Sequence, residues 1–217
     1  IRVINNGVKV EEFEVEIDEK FRDNYVMKNE KLIFYVGRLV KEKGIDNLLE
    51  AFSIAIKDDF NLKLVIAGKG SYENELKQMA YNLNISEKVI FTGFISDEIR
   101  NKLYKIADLA VFPSTYEPFG IVALEAMAAK TPLISSNAGG FNEFIKDGYN
   151  ALKFEAGDSY DLAAAILRTF RDESGAILRA ERAYKEIINN FNWEKIAEQT
   201  SSLYKEVLTE SKKELSK

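Results

Sequence analysis

The feature of this chain that most limits its fold is a regular alternation of short apolar runs with longer segments of helical period. The runs are rich in Val, Ile and Phe and occupy residues 32–36, 62–67, 89–91, 109–112 and 133–135, with 151–154 as a sixth candidate. Short, nearly continuous apolar runs are typical of strands that are covered on both faces. They therefore predict a sheet buried between two layers of helices.

Between the runs, apolar residues recur at the spacing of one helix face, as Ile45, Leu48 and Phe52 do. Strands that alternate with helices predict a parallel sheet with right-handed crossovers. From about residue 158 onwards the pattern is helical only, in segments 162–170, 176–188 and 193–208, and the charged tail 210–217 is expected to fray. We therefore predict an α/β fold, a doubly wound, Rossmann-like parallel sheet with C-terminal helices.

A chain of 217 residues suits one large domain or two small ones. We predict a single domain, in which residues 1–27 form a hinge and entry segment, 28–172 the α/β core and 173–217 the C-terminal helices. Residues 1–5 lack both an initial Met and the pattern of a signal peptide. We therefore expect a piece of a longer protein, located in the cytoplasm.

The composition excludes several classes of chemistry. The chain has no Cys and no His, which rules out disulfides, Ser–His and Cys–His catalysis and most zinc sites. Its formal net charge is −5, which does not favour binding to nucleic acid or to an anionic membrane. No apolar run approaches the roughly 20 residues that span a bilayer.

Doubly wound sheets bind ligands at the carboxyl ends of their strands, and the first run ends there in a cationic turn. Arg38 follows Gly37 directly, and Lys43 lies just before the next helix. An Arg fork and a Lys point charge on one turn can clamp a phosphate, helped by the positive end of the helix. The same spacing also fits solvated loop charges, with Arg38 paired to Glu42.

The most informative segment is 117–125, which follows the fourth run and leads into a helix predicted over 122–130. Gly120 leaves room for an anion or a hydroxyl at the free amides of the helix N-terminus. Glu117 would lie at the mouth of that site, or simply interact with the helix dipole. Glu125 lies in an otherwise apolar helix, where a carboxylate is costly unless it is paired, binds ligand hydroxyls or faces solvent.

Two further glycine turns follow strands. The turn at 68–70 lacks the third glycine of a dinucleotide fingerprint, because Glu73 stands at that position. The turn at 139–143 could begin a helix that faces the crevice, although a connecting loop with Glu143 exposed is the simpler interpretation. Neither turn identifies a ligand by itself.

Taken together, these stretches resemble the C-terminal half of the retaining group 1 glycosyltransferases, a family that includes glycogen synthase. The resemblance is carried by VGRLVKEKG (36–44), VIAGKG (65–70), VIFTGFIS (89–96), the segment 107–140 and DGYNALKF (147–154). It depends most on the combination of GR-x4-KG with E-x7-E. The resemblance implies one Rossmann-like half of a GT-B fold, the half that binds a nucleotide-sugar donor.

The resemblance also implies roles for individual residues at the phosphates and the sugar. Arg38 and Lys43, in the turn that begins at Gly37, would grip the diphosphate, and Glu117 would contact the donor sugar. Backbone N–H groups near the phosphate and the sugar would come from Phe119, Gly120 and Ile121.

Three more residues would bind the nucleoside. Glu125 would accept ribose hydroxyls, Ile95 would lie against the base, and Arg100 would approach the base or the phosphate. No metal and no cofactor other than the donor substrate is implied.

The implied activity is that of a hexosyltransferase, inactive as an isolated domain, that takes a UDP-, ADP- or GDP-sugar. An N-terminal acceptor domain would be the missing partner, and peripheral membrane contact would occur only through that half. Two alternatives stay open: half of a GT-B sugar phosphorylase or epimerase, and a non-catalytic nucleotide-binding or regulatory α/β module.

Overall fold

A six-stranded parallel sheet lies at the centre of the computed structural model, which describes residues 2–18, 20–58 and 61–215. The strand order is β3-β2-β1-β4-β5-β6. The strands are β1 Lys31–Val36, β2 Leu62–Ala67, β3 Val89–Gly93, β4 Leu109–Phe112, β5 Leu133–Ser136 and β6 Leu152–Phe154. This is the doubly wound order, and it confirms the predicted fold class.

Within the described part of the chain, seven α-helices follow or flank the strands. They are α1 Ile45–Ala55, α2 Glu73–Asn82, α3 Asp97–Ile106, α4 Ile121–Ala128, α5 Ser159–Arg171, α6 Glu173–Glu186 and α7 Trp193–Leu215. A short π-helical segment, Ile187–Phe191, joins α6 to α7. Among the residues that the structure describes, none of these helices is both long and apolar enough to cross a bilayer.

Alternation of side chains along the strands gives the sheet two buried faces. In β1, Leu32 and Phe34 pack with α3, α4 and α6, whereas Ile33 and Tyr35 pack with α1, α2 and α5. Residues outside the strand-and-helix alternation join the first of these cores, among them Phe13 near the start of the chain. The helices therefore cover both faces of the sheet, as the continuous apolar runs predict.

Several predicted helix bounds were wrong. α5 and α6 each begin three residues earlier than predicted, at Ser159 and Glu173, and α6 ends two residues earlier, at Glu186. α4 ends at Ala128, because Lys130 adopts a left-handed conformation with φ 59° that cannot continue a helix. Residues Gly139–Glu143 form a short 3₁₀ turn, which agrees with the simpler interpretation of this segment as a connecting loop. α7 continues seven residues beyond Leu208, through a segment rich in the strong helix formers Glu and Lys; residues 216–217 of the predicted tail lie outside the described residues.

The position of the candidate site follows from the strand order. The chain builds outwards from β1 to β3, then crosses back and places β4 on the other side of β1. Ligands of open α/β sheets bind at such a reversal, beyond the carboxyl ends of the two strands. Here those ends are Val36 and Phe112.

Candidate functional site

A cavity of about 220 Å³ opens at the carboxyl ends of β1 and β4. It is bounded by the turn after β1, the loop after β4 and the first turn of α4. Its lining residues are Tyr35, Val36, Gly37, Arg38, Lys43, Phe112, Ser114, Glu117, Ile121 and Val122. The turn with two cations and the segment 117–125 therefore meet at one place, as the sequence predicts.

The closest polar contact in this first cavity joins Lys43 to Glu117. Nζ of Lys43 lies 2.6 Å from Oε2 of Glu117, and the hydroxyl of Ser114 lies 3.3 Å from the same oxygen. Both charged side chains are mostly buried, with 15% and 9% of their surfaces exposed. The sequence predicts both residues at the site but does not indicate that they form an ion pair.

Backbone contacts between the two loops fix this pair. The amide of Thr115 donates to the carbonyl of Glu42 over 2.9 Å. Gly44 has φ 63°, and a Cβ atom there would lie 2.1 Å from the carbonyl oxygen of Pro113. Only glycine allows this approach, which places Lys43 directly opposite the loop after β4.

Arg38 has a different environment from Lys43. Its side chain is 72% exposed, and a terminal nitrogen lies 3.7 Å from a carboxylate oxygen of Glu42. The pairing with Glu42 that the spacing permits is therefore present, but it is a solvated contact of small energetic weight. The guanidinium remains available at the mouth of the first cavity.

The loop after β5 contacts the segment that leads into the N-terminus of α4. Gly120 precedes the helix with φ 98°, and the amide of Gly140 donates to the carbonyl of Glu117 over 2.8 Å. A Cβ at Gly139 would lie 2.2 Å from that same carbonyl oxygen. Glu143 is exposed, in agreement with the loop interpretation, but the two glycines also hold the backbone that carries Glu117.

A second cavity of about 260 Å³ adjoins the first and shares Val36, Gly37 and Arg38 with it. It lies beyond the carboxyl ends of β2 and β3. Its other lining residues are Gly68, Lys69, Phe94, Ile95, Asp97 and Arg100. A Cβ at Gly68 would lie 1.8 Å from the carbonyl oxygen of Gly37, so the turns after β1 and β2 touch only because a side chain is absent.

Glu125 is mostly shielded from solvent, with 12% of its side chain exposed, and it lies next to Arg100, which lines the second cavity. One carboxylate oxygen accepts a hydrogen bond from the hydroxyl of Tyr104 over 3.1 Å, and the other lies 3.6 Å from Arg100. Burial raises the pKa of Glu125, although Arg100 and Tyr104 act in the opposite direction. An ionised carboxylate in such surroundings is costly to the free chain, and packing alone does not require one at this position.

The structure thus groups most of the predicted site residues into two adjoining sets. Gly37, Arg38, Lys43, Glu117 and Ile121 line the first cavity, and Ile95 and Arg100 line the second. Phe119, Gly120 and Glu125 are not among the lining residues of either cavity. Sequence reasoning missed the two buried tyrosines Tyr35 and Tyr104, since both fall within apolar patterns and give no polar signal.

The family described as "Glycosyl transferases group 1" matches residues 16–190. The chain belongs to the group 1 glycosyltransferases. An uncharacterized glycosyltransferase of Methanocaldococcus jannaschii is 38% identical to this glycosyltransferase chain over 210 residues, which are 94% of this chain and 54% of that protein.

Two further relatives of this glycosyltransferase chain extend the comparison. Glycogen synthase of Mycobacterium tuberculosis is 36% identical over 172 residues, 79% of this chain and 42% of that enzyme. The crystal structure of Anabaena HepE in complex with UDP and glucose matches with a TM-score of 0.87 at 26% identity, over 94% of this chain and 57% of that one. The chain spans about half the length of the relatives it matches, and the predicted family and Rossmann-like GT-B fold are confirmed.

Proposed function

We propose that this chain is the donor-binding half of a retaining hexosyltransferase, which moves a sugar from a UDP-, ADP- or GDP-sugar to a glycan, lipid or small acceptor. The observation that carries the proposal is the convergence of Arg38, Lys43 and the first turn of α4 on one cavity at the reversal of strand order. HepE, similar in fold and sequence, is described with UDP and glucose bound.

The first cavity suits the diphosphate and the sugar of such a donor. Lys43 contributes a fixed positive charge, Arg38 a planar fork at the mouth, and residues 121 and 122 the amides of a helix N-terminus. Glu117 partly neutralises Lys43 and offers its second carboxylate oxygen to a sugar hydroxyl. Phe119 and Gly120 would act through the backbone that leads into the helix.

These groups stabilise the charge that develops during transfer. The bond between the anomeric carbon and the diphosphate oxygen breaks, and its electron pair leaves with the diphosphate. The acceptor oxygen forms the new bond on the same face of the sugar, and its proton passes to the departing diphosphate. Cations that are already in place favour this transition state over the ground state, and loss of one such donor costs roughly 3–4 kcal/mol in other enzymes.

The second cavity suits the nucleoside. It is mostly apolar and continuous with the first through the turn that carries Gly37 and Arg38. The base would lie against Ile95, and Arg100 would approach the base or the adjoining phosphate. Glu125, buried next to Arg100, would accept the ribose hydroxyls.

The acceptor would be bound by a part of the enzyme outside this chain, because the relatives are about twice as long. We expect the chain alone to bind donor nucleotide and to transfer no sugar. An apolar face along α7, with Trp193, Tyr204 and Leu208 all exposed, offers a surface on which the remaining half would pack.

Calorimetric titration of the chain with UDP, ADP and GDP tests the proposal. At least one nucleotide is expected to bind, and Arg38→Ala is expected to weaken it by about 2 kcal/mol, roughly thirtyfold. Lys41→Ala is the matched control, since Lys41 is an exposed cation of the same turn that lines neither cavity. Absence of binding at millimolar nucleotide, or equal binding by the Arg38→Ala variant, contradicts the proposal.

A further inference from the structure

Tyr104 reaches from α3 to α4 through the core. Its ring packs edge-on against Phe34 and Phe13, at centroid distances of 5.1 and 6.1 Å. The residue has no exposed surface. Its hydroxyl lies 3.0 Å from the carbonyl oxygen of Val122 and 3.1 Å from Oε2 of Glu125. A polar group at the end of a ring held this tightly has a fixed position.

We propose that Tyr104 is a positioning residue, which holds the carboxylate of Glu125 in the orientation that accepts the ribose hydroxyls. The inference deepens the proposed function and rests on it, since it assumes that Glu125 accepts hydrogen bonds from the ribose hydroxyls. Tyr104 itself touches no substrate in this proposal.

Two side chains of α3 contact the carboxylate of Glu125: Tyr104 is held rigidly in the core, and Arg100 also has other partners. Tyr104 and Arg100 lie four residues apart on α3, so they present neighbouring side chains to the same carboxylate. Arg100 is shared, since it also pairs with Asp97 over 2.8 Å and lines the second cavity. Tyr104 contacts the carboxylate from the core side, and each carboxylate oxygen keeps a free lone pair for a ligand hydroxyl.

The hydroxyl of Tyr104 has one proton and two acceptors within reach, Val122 and Glu125. When it donates to the ionised Glu125, it lowers the pKa of that carboxyl against the effect of burial. The other charged groups that act on Glu125 are Arg100, Asp97 and Glu12. Removal of the hydroxyl should therefore leave Glu125 both less well oriented and more easily protonated.

The test compares UDP with 2′,3′-dideoxy-UDP, which has the same phosphates and base but no ribose hydroxyls. Calorimetry is performed on the unsubstituted chain and on the Tyr104→Phe, Glu125→Gln and doubly substituted variants, with thermal melts to show that each is folded. Tyr72→Phe is the matched control, because it removes another hydroxyl within 3.3 Å of a carboxylate, that of Asp46, away from both cavities.

Tyr104→Phe is expected to weaken UDP binding about fivefold, which corresponds to the loss of one hydrogen bond, and to leave dideoxy-UDP binding unchanged. In the Glu125→Gln background the same substitution should have no further effect on UDP. UDP binding, relative to dideoxy-UDP binding, should weaken below a certain pH. That pH should be higher in Tyr104→Phe, because the pKa of Glu125 rises when the hydrogen bond is lost, and a purely structural role would not cause this shift.

Three outcomes overturn the inference in distinguishable ways. If the unsubstituted chain binds UDP and dideoxy-UDP equally, Glu125 does not bind the ribose hydroxyls. The inference then fails, and the proposed binding of the diphosphate is unaffected. If Tyr104→Phe weakens both ligands equally, Tyr104 supports the helix N-terminus and not the carboxylate. If the unsubstituted chain binds no UDP, ADP or GDP, the proposed function fails and the inference fails with it.

Discussion

Nζ of Lys43 lies 2.6 Å from Oε2 of Glu117, which joins two residues that are 74 positions apart in the chain. The pair connects the turn after β1 with the loop after β4, at the point where the strand order reverses. Because both side chains are mostly buried, each charge depends on the other for compensation. The pair is therefore structural in the free chain, and it also presents one carboxylate oxygen and one ammonium group to the cavity.

Removal of Lys43 alone should be costly to stability. Lys43→Met leaves the carboxylate of Glu117 buried without its cation, and we expect the free energy of unfolding to fall by about 3 kcal/mol. The double variant Lys43→Met with Glu117→Gln should recover most of that loss, because no unpaired charge remains. Urea unfolding at neutral pH measures both, and a single variant as stable as the unsubstituted chain would contradict the prediction.

Glu125 should lower the stability of the chain at neutral pH. Burial raises its pKa above the ordinary value of 4.5, so the folded state favours the protonated carboxyl. The stabilisation that the folded state gains from protonating Glu125 is complete below pH 4.5 and is lost as the pH rises through the raised pKa. Glu125→Gln, which mimics the protonated form, is therefore expected to raise the melting temperature at pH 7.

The same comparison at low pH supplies the control for Glu125. The difference in melting temperature between Glu125→Gln and the unsubstituted chain should shrink steadily as the pH falls towards 4.5. A variant that is less stable at pH 7, or a difference independent of pH, would show that the contacts with Tyr104 and Arg100 outweigh burial.

Glu30 should show the opposite dependence on pH. It is buried, and burial alone would raise its pKa, but hydrogen bonds from the Met27 amide and from Lys88 lower it overall. Its stabilising effect is present above 4.5 and is lost as the pH falls through the lowered pKa. We expect Glu30→Gln to cost about 2 kcal/mol at pH 7, the size of a hydrogen bond to a charged group, and little at low pH.

Glu173→Gln serves as the matched control for Glu30. Glu173 also pairs with a lysine, Lys31, over 2.8 Å, but its side chain is 62% exposed. Solvent screens such a pair, so unfolding in urea should hardly change. Equal losses in the two variants would mean that burial does not distinguish the two carboxylates.

The glycine beneath Glu117 should be needed for nucleotide binding. Gly139 has φ 46°, and its Cβ would collide with the carbonyl oxygen of Glu117, whereas Gly148 has φ 68° with open space around it. In both alanine variants the left-handed backbone conformation lowers the free energy of unfolding by about 1 kcal/mol. Only Gly139→Ala should also displace Glu117 and lower the affinity for UDP in calorimetry, and loss of affinity in Gly148→Ala would contradict this.

The sequence was most informative where periodicity carries the signal. The bounds of β2 and β4 are as predicted, and the other strands differ by one or two residues, because continuous apolar runs are direct evidence of burial on both faces. The ends of α4 and α7 were wrong because a left-handed Lys130 and a favourable charged tail are local effects that apolar spacing does not register.

The site was predictable in outline but not in its contacts. Arg38, Lys43 and Glu117 were placed together because each follows a strand and carries a charge that an apolar pattern does not require. The pairing of Lys43 with Glu117 and of Tyr104 with Glu125 depends on which loops and helices become neighbours across the sheet. A buried tyrosine, moreover, looks like any other core residue until its hydroxyl is located.

The contrast in exposure between Arg38 and Lys43 divides the anion site into a rigid half and an adjustable half. Lys43 is held by its buried ion pair with Glu117 in the free chain, whereas the side chain of Arg38 is 72% exposed and has only a solvated contact with Glu42. Binding of a ligand would order the Arg38 side chain, and the conformational entropy lost in doing so reduces the net affinity. Substitutions at position 38 should therefore alter ligand affinity and leave the contacts between the loops after β1 and β4 intact.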